Sequence, residues 1–129
     1  PRTPARVLLD THVLLWWLAE PERRTGAARA AIGGGGNTVF FSAAAVWEMA
    51  IKKTLGRLDF PANLVEVLRA ERIRVLPIDA AHALAVAELP LHHQDPFDRM
   101  MIAQARLEGL TLVTRDRELS RYGIAVLDA

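Results

Sequence analysis

Arg6-Val7-Leu8-Leu9-Asp10 is an apolar run that does not alternate and that stops on a carboxylate. Continuous apolar residues describe a strand buried on both faces, which belongs to a parallel sheet with helices above and below it. Working outward, 11–18 reads as a short helix stopped before Pro21, and 25–32 as a second helix ended by Gly33 to Gly36. Val39-Phe40-Phe41 is the next strand, followed by Ser42 as N-cap and a helix over 43–53. Pro61 opens a helix over 62–71, and 73–78 is strand three. Asp79 caps an Ala-rich helix that runs to Leu89 and is stopped by Pro90. Asp95 followed by Pro96 is a strong start signal for a helix reaching Glu108, with Gly109 ending it. Strand four covers 110–114, a short turn of helix follows, and 124–127 is the last strand. Strands that alternate with helices imply right-handed βαβ crossovers and an α/β fold. No repeat or linker divides residues 1–129, so one domain is expected.

Hydrophobic residues make up 51% of the 129, in runs far shorter than the ~20 apolar residues that span a bilayer. No membrane association is expected. Residues 1–6 lack the hydrophobic region of a signal peptide and cysteine is absent, which points to the cytoplasm. Sixteen basic against fifteen acidic residues leave a net charge of +1, so bulk charge does not announce a nucleic-acid partner. If four acids are neutralised by bound cations, eleven acids remain and the rest of the surface is basic. Arg predominates among the bases and suits bidentate phosphate contacts, although an Arg- and Ala-rich composition also fits a GC-rich genome.

Four carboxylates decide the chemistry. Asp10 and Asp116 follow strands one and four, while Glu48 and Asp98 sit within a turn or two of helix starts, so all four fall on one edge of a parallel sheet. That edge, at the carboxyl ends of the strands, is where such folds place their sites. Each acid has an ordinary alternative. Asp10 can terminate a strand, Asp98 can act in a capping box, Asp116 can cap the turn near Arg117, and Glu48 can pair with Lys52 at i,i+4. Together they would repel one another unless a divalent ion joins them. Oxygen ligands without Cys suit Mg²⁺ or Mn²⁺. Such ions activate water and stabilise a leaving oxygen, so hydrolysis of a nucleic-acid backbone is the expected reaction class.

Leu8-Leu9-Asp10-Thr11-His12, Val46-Trp47-Glu48-Met49-Ala50-Ile51-Lys52, His93-Gln94-Asp95-Pro96-Phe97-Asp98-Arg99-Met100 and Val113-Thr114-Arg115-Asp116 resemble, in order and spacing, the motifs of PIN-domain ribonucleases, in particular VapC toxins of bacterial toxin–antitoxin pairs. The resemblance implies a three-layer α/β/α sandwich with a five-stranded parallel sheet of order 3-2-1-4-5. It also implies a Mg²⁺- or Mn²⁺-dependent endoribonuclease in which Asp10, Glu48, Asp98 and Asp116 are metal ligands and catalytic acids, with Thr114 supporting them. It further implies an RNA substrate, a VapB-type antitoxin and a homodimer. Asp95 is read as a cap. Two competing functions are a PIN-like module that binds RNA or protein without cutting, and a metal-dependent phosphatase.

His12, His82, His92 and His93 rank below the acids, because adjacent histidines do not readily face one ion and no His-x-x-x-His pair exists. Gly33 to Gly36 follows a helix rather than a strand and reads as a connection, not a phosphate loop. The segment Val13 to Leu18 is apolar on every side. A helical wheel puts Val13, Trp16 and Trp17 on one flank and Leu14, Leu15 and Leu18 on the other. Either the helix is wedged in the core, or Trp16 and Trp17 meet a partner protein.

Overall fold

The computed structural model describes residues 5–24 and 26–128. Five strands, β1 (Arg6–Leu9), β2 (Thr38–Ser42), β3 (Ile73–Leu76), β4 (Thr111–Thr114) and β5 (Val126–Asp128), form one sheet of order β3-β2-β1-β4-β5. Every pairing is parallel. Helices cover both faces, as the buried strand at 6–10 requires: Val7, Leu8 and Leu9 are all buried. At about 1.5–3 kcal/mol for each such side chain, these central residues are a main source of stability. The sheet reverses its direction of growth at β1, which pairs with β2 on one side and β4 on the other. The carboxyl ends of β1 and β4 therefore flank the crevice where this topology places a site.

The helices are α1 (Thr11–Ala19), α2 (Gly26–Ala28), α3 (Ala43–Thr54), α4 (Leu64–Ala70), α5 (Ala80–Ala85) and α6 (Pro96–Glu108). Their starts follow the expected caps. Ser42 Oγ accepts the Ala44 amide at 3.0 Å, Asp79 accepts the His82 amide at 2.9 Å, and Asp95 accepts the amides of Phe97 and Asp98, both at 2.9 Å. Gly109, at φ 66°, ends α6 in the left-handed conformation that glycine adopts without a Cβ clash.

Several elements differ from the sequence expectation for identifiable reasons. β3 ends at Leu76 rather than 78, because Pro77 has no amide to continue the ladder. The helix expected to reach Leu89 ends at Ala85 and continues as a 3₁₀ turn over Val86–Glu88. The carbonyls of Val86, which also accepts the Leu89 amide, and of Leu89 accept the Arg99 guanidinium, at 2.9 and 3.2 Å. The helix expected at 25–32 is one α turn followed by a π turn over Arg29–Gly33, and its first residue lies outside the described ones. In α1 the buried side chains are Thr11, Val13, Leu14 and Trp17, which crosses the two flanks of the helical wheel. Leu15, Trp16 and Leu18 are half-buried against the same core, so the helix is wedged.

Gly33 is needed for that wedge. A Cβ there would lie 2.9 Å from Cη2 of the buried Trp17 ring. A Gly→Ala change at a compatible backbone position normally stabilises by ~0.4–1 kcal/mol. Here the overpacked indole should reverse the sign, and Gly33→Ala is expected to lose about 1–3 kcal/mol in denaturant unfolding. A gain in stability would mean that Trp17 has room to move.

Candidate active site

Asp10 occupies the N-cap position of α1, yet its carboxylate does not cap that helix. It accepts the Thr114 hydroxyl at 2.7 Å instead, which ties the end of β1 to the end of β4. The same Thr114 oxygen accepts the Asp116 amide at 3.1 Å, so one buried hydroxyl positions two acids that lie over a hundred residues apart. Glu48, on the second turn of α3, is 7% exposed. Its Oε1 accepts the Thr11 hydroxyl at 2.9 Å and its Oε2 accepts Lys52 Nζ at 3.0 Å. The i,i+4 pair expected from sequence is therefore present, and Thr11 adds a second anchor from the first turn of α1.

Asp98 behaves differently. Asp95 is the cap of α6, and no hydrogen bond reaches the Asp98 carboxylate among the described residues. The expected capping-box alternative for Asp98 is thus not realised. Burial, followed by repulsion from Asp95, Asp10 and Glu48, pushes Asp98 from its ordinary 3.8 to about 6, and His93 acts in the opposite direction. Asp95 is the cap of the same helix, whereas Asp10 and Glu48 come from other elements and have been brought near Asp98 by the fold; Asp116 is not among the opposing charges. Asp116 has two functions in view. It caps the 3₁₀ turn Arg117–Tyr122 by accepting the Glu118 amide at 3.0 Å, and its other oxygen lies 3.6 Å from His93 Nε2.

His93 is a neighbour that sequence reasoning set aside. Its amide donates to the Tyr122 hydroxyl at 2.7 Å and its Nδ1 lies 3.2 Å from the same oxygen, which fixes the ring beside Asp116. Arg99, one residue after Asp98, is buried and donates to the carbonyls of Val86, Leu89, Pro90 and His93. It holds the loop that delivers His93. Buried Gln104 receives the Ser42 hydroxyl at 2.6 Å and locks α6 to the start of α3. These contacts join residues far apart in the chain, and only the adjacency of Arg99 to the acidic motif hinted at any of them.

A second His–carboxylate group lies elsewhere. Ligand atoms of Asp79, His82 and Glu108 all fall within 4.8 Å of one another. The hydrogen bonds argue for a structural role: His82 Nδ1 accepts the Asp79 amide at 3.1 Å, so the ring proton sits on Nε2 and points to Glu108 at 2.9 Å. Neither nitrogen keeps a free lone pair for a metal. His82 completes a capping box and ties α5 to the end of α6.

The expected partner surface at Trp16 and Trp17 is mostly inside. Trp17 is 4% exposed with Arg24 stacked on it, and half-buried Trp16 lies beneath Arg115. Both indole N–H groups are buried without an acceptor among the described residues. An exposed apolar stripe runs along α3 to its C-cap, where Trp47, Ile51 and Leu55 follow one another at i,i+4 spacing.

With this geometry in place, comparison with known proteins is decisive: the PIN domain model matches residues 7–125. The chain belongs to the PIN-domain family. This PIN domain is 35% identical over 120 residues to Ribonuclease VapC22 of Mycobacterium tuberculosis (strain ATCC 25618 / H37Rv), which covers 90% of the chain and 91% of that protein. Its fold is shared by a chain of VapBC2 from Rickettsia felis, solved bound to a promoter DNA fragment. The TM-score is 0.69 at 14% identity, over 95% of this chain and 98% of that one. DNA-bound VapBC from Salmonella typhimurium gives 0.67 at 20% identity, over 96% and 98%. The expected three-layer sandwich and strand order hold. Among the described residues, no helix of this PIN domain is long and apolar enough to cross a membrane.

Proposed function

We propose that this PIN domain is a divalent-cation-dependent endoribonuclease, the cytoplasmic toxin of a type II toxin–antitoxin pair, and that it hydrolyses RNA phosphodiester bonds. The observation that carries the chemistry is Asp98: a half-buried carboxylate with no hydrogen bond among the described residues, pushed up first by burial, then by its helix cap Asp95, and then by Asp10 and Glu48 from other elements. An arrangement that costs stability in this way is explained by a cation. Asp10, Glu48, Asp98 and Asp116 are the residues that would hold it, and their all-oxygen donor set suits Mg²⁺ or Mn²⁺. Such an ion, when bound, lowers the pKa of a coordinated water and stabilises charge on the leaving oxygen.

The protein's own groups set the geometry. Thr114 fixes the rotamer of Asp10 and the backbone of Asp116 through a single hydroxyl. Thr11 and Lys52 hold the two oxygens of Glu48, and the Lys52 ammonium offsets part of the local negative charge. His93, fixed by Tyr122, braces Asp116 from the opposite side. Identity to a VapC ribonuclease supports RNA as substrate, and the resemblance to VapC toxins supports a VapB-type antitoxin and a homodimer. The stripe of Trp47, Ile51 and Leu55 is one exposed apolar surface available to such protein partners.

The test is cleavage of a structured RNA with Mg²⁺ or Mn²⁺, run beside a small chromogenic phosphate ester. RNA cleavage that stops in chelator, without phosphate release from the ester, is the expected result. Ester hydrolysis without RNA cleavage would assign a phosphatase, and RNA binding without cleavage a non-catalytic module.

A further inference from the structure

Three arginines gather at the end of the sheet opposite the acids. Arg69 on α4, Arg72 in the turn after it and Arg74 on β3 line one open cleft of about 520 Å³, floored by the start of β2 at Asn37 and Thr38. All three are exposed, and none of their guanidinium groups makes a hydrogen bond or ion pair among the described residues. No acidic residue lines the cleft. Arg72 stands at φ 59°, the one non-glycine described with positive φ, in a conformation that asparagine or glycine would adopt at lower cost. Its side chain is exposed and lines the same cleft as the other two. Exposed Val65 and Val75 supply apolar surface between the cations, above buried Val39 and Ile73.

We infer that this cleft binds the phosphate backbone of the RNA on which the acids act, an inference that rests on the ribonuclease reading. With a net charge of only +1 there is no bulk attraction for a polyanion, and the acidic edge itself repels one. Affinity must then come from a local group of cations that is not already paired within the protein. Planar guanidinium groups meet phosphate oxygens bidentately, and the exposed side chains of Val65 and Val75 suit sugar and base edges. The cleft lies along β2 from the acidic edge by about four residues, or ~13 Å, and two strands to the side, about 10 Å. That separation falls within the footprint of an RNA strand several nucleotides long. An acidic peptide pairing with β3 is disfavoured. The strand is only four residues long, carries Arg74, and runs into Pro77, features that blunt an edge against strand addition.

The test is binding of a fluorescent single-stranded RNA of roughly 20 nucleotides in chelator, between about 50 and 200 mM salt, by anisotropy. The variant is Arg69→Gln/Arg72→Asn/Arg74→Gln, in which Asn is chosen to tolerate the positive φ. Arg57→Gln/Arg106→Gln is the control for charge alone, and thermal unfolding confirms that each protein is folded. Loss of three phosphate contacts should flatten the slope of log K against log[salt] by about 2, and weaken binding at the lowest salt by roughly tenfold or more. The control should shift the slope by less than half as much. An unchanged slope in the triple variant, or an equal change in the control, would overturn the assignment. So would saturable binding of inorganic phosphate or of poly-glutamate that the triple variant abolishes while RNA affinity stays intact. Cleavage of a short RNA, measured separately with Mn²⁺, keeps the two readings apart. A triple variant that binds long RNA weakly yet still cuts the short one supports the cleft, whereas a wild type that cuts neither RNA but keeps its slope difference overturns the ribonuclease reading alone.

Discussion

Replacing Asp10 by Asn is expected to lower RNA cleavage by more than ~100-fold while leaving the protein folded. Asn keeps the size of the side chain and an oxygen that can still accept the Thr114 hydroxyl, so the tie between β1 and β4 survives. What it removes is the charge proposed to hold a cation. A residue that only orients a ligand typically costs 10–100-fold when it is lost, which is the loss expected of Thr114→Val. The two variants thus separate a ligand from its support. Single-turnover cleavage at saturating Mn²⁺, with thermal unfolding in parallel, makes the measurement. An Asp10→Asn protein that cuts RNA at the wild-type rate would remove Asp10 from the site.

Asp98→Asn should lose cleavage to a similar degree and, unlike the loss of an ordinary cap, should not lose stability in chelator. The folded pKa of Asp98, about 6, lies above its unfolded value near 4. Between those values the native state binds the additional proton, so stability falls as pH rises through that window and stays lower above it. Asn cannot ionise and is spared that fall. At pH 7 in chelator the variant should unfold at the same temperature as wild type or higher, and towards pH 4 the advantage should close. Asp95→Ala supplies the contrast, since deleting a true cap costs ~0.5–2 kcal/mol and should leave catalytic chemistry in place. An Asp98→Asn protein destabilised at neutral pH to the same extent as Asp95→Ala would make Asp98 a second cap.

Much of this architecture is written locally in the chain. Asp95-Pro96 and Gly109 bracket α6 to the residue because caps and left-handed terminators act on their immediate neighbours. The order of strands and the sharing of one edge by Asp10, Glu48, Asp98 and Asp116 follow from parallel connectivity and from the motifs that resemble PIN ribonucleases. What stayed hidden depends on distant partners. Thr11 gains its role from Glu48, Ser42 from Gln104, and His82 from Glu108, and no spacing rule links residues 26 to 62 positions apart. The helix wheel of α1 treated Trp16 and Trp17 as one surface, whereas the turn ending at Gly33 closes over Trp17 and leaves the exposed apolar stripe to α3. As half of a His-His pair His93 carries no ligand signal in the sequence, yet Tyr122, 29 residues on, holds its ring beside Asp116.

If these acids are held near one another at a cost that a divalent ion offsets, thermal unfolding of wild type and Asp98→Asn, at fixed protein concentration, with chelator and with Mg²⁺ or Mn²⁺, will show it. An ion that binds only the native state contributes about 2.7 kcal/mol at a hundredfold excess over its Kd. At pH 7 wild type should be no more stable than the variant in chelator and should gain most of that increment with ion, while the variant gains little, so that the order reverses. A wild type whose midpoint does not move with ion, together with a variant that is less stable in chelator, would contradict it.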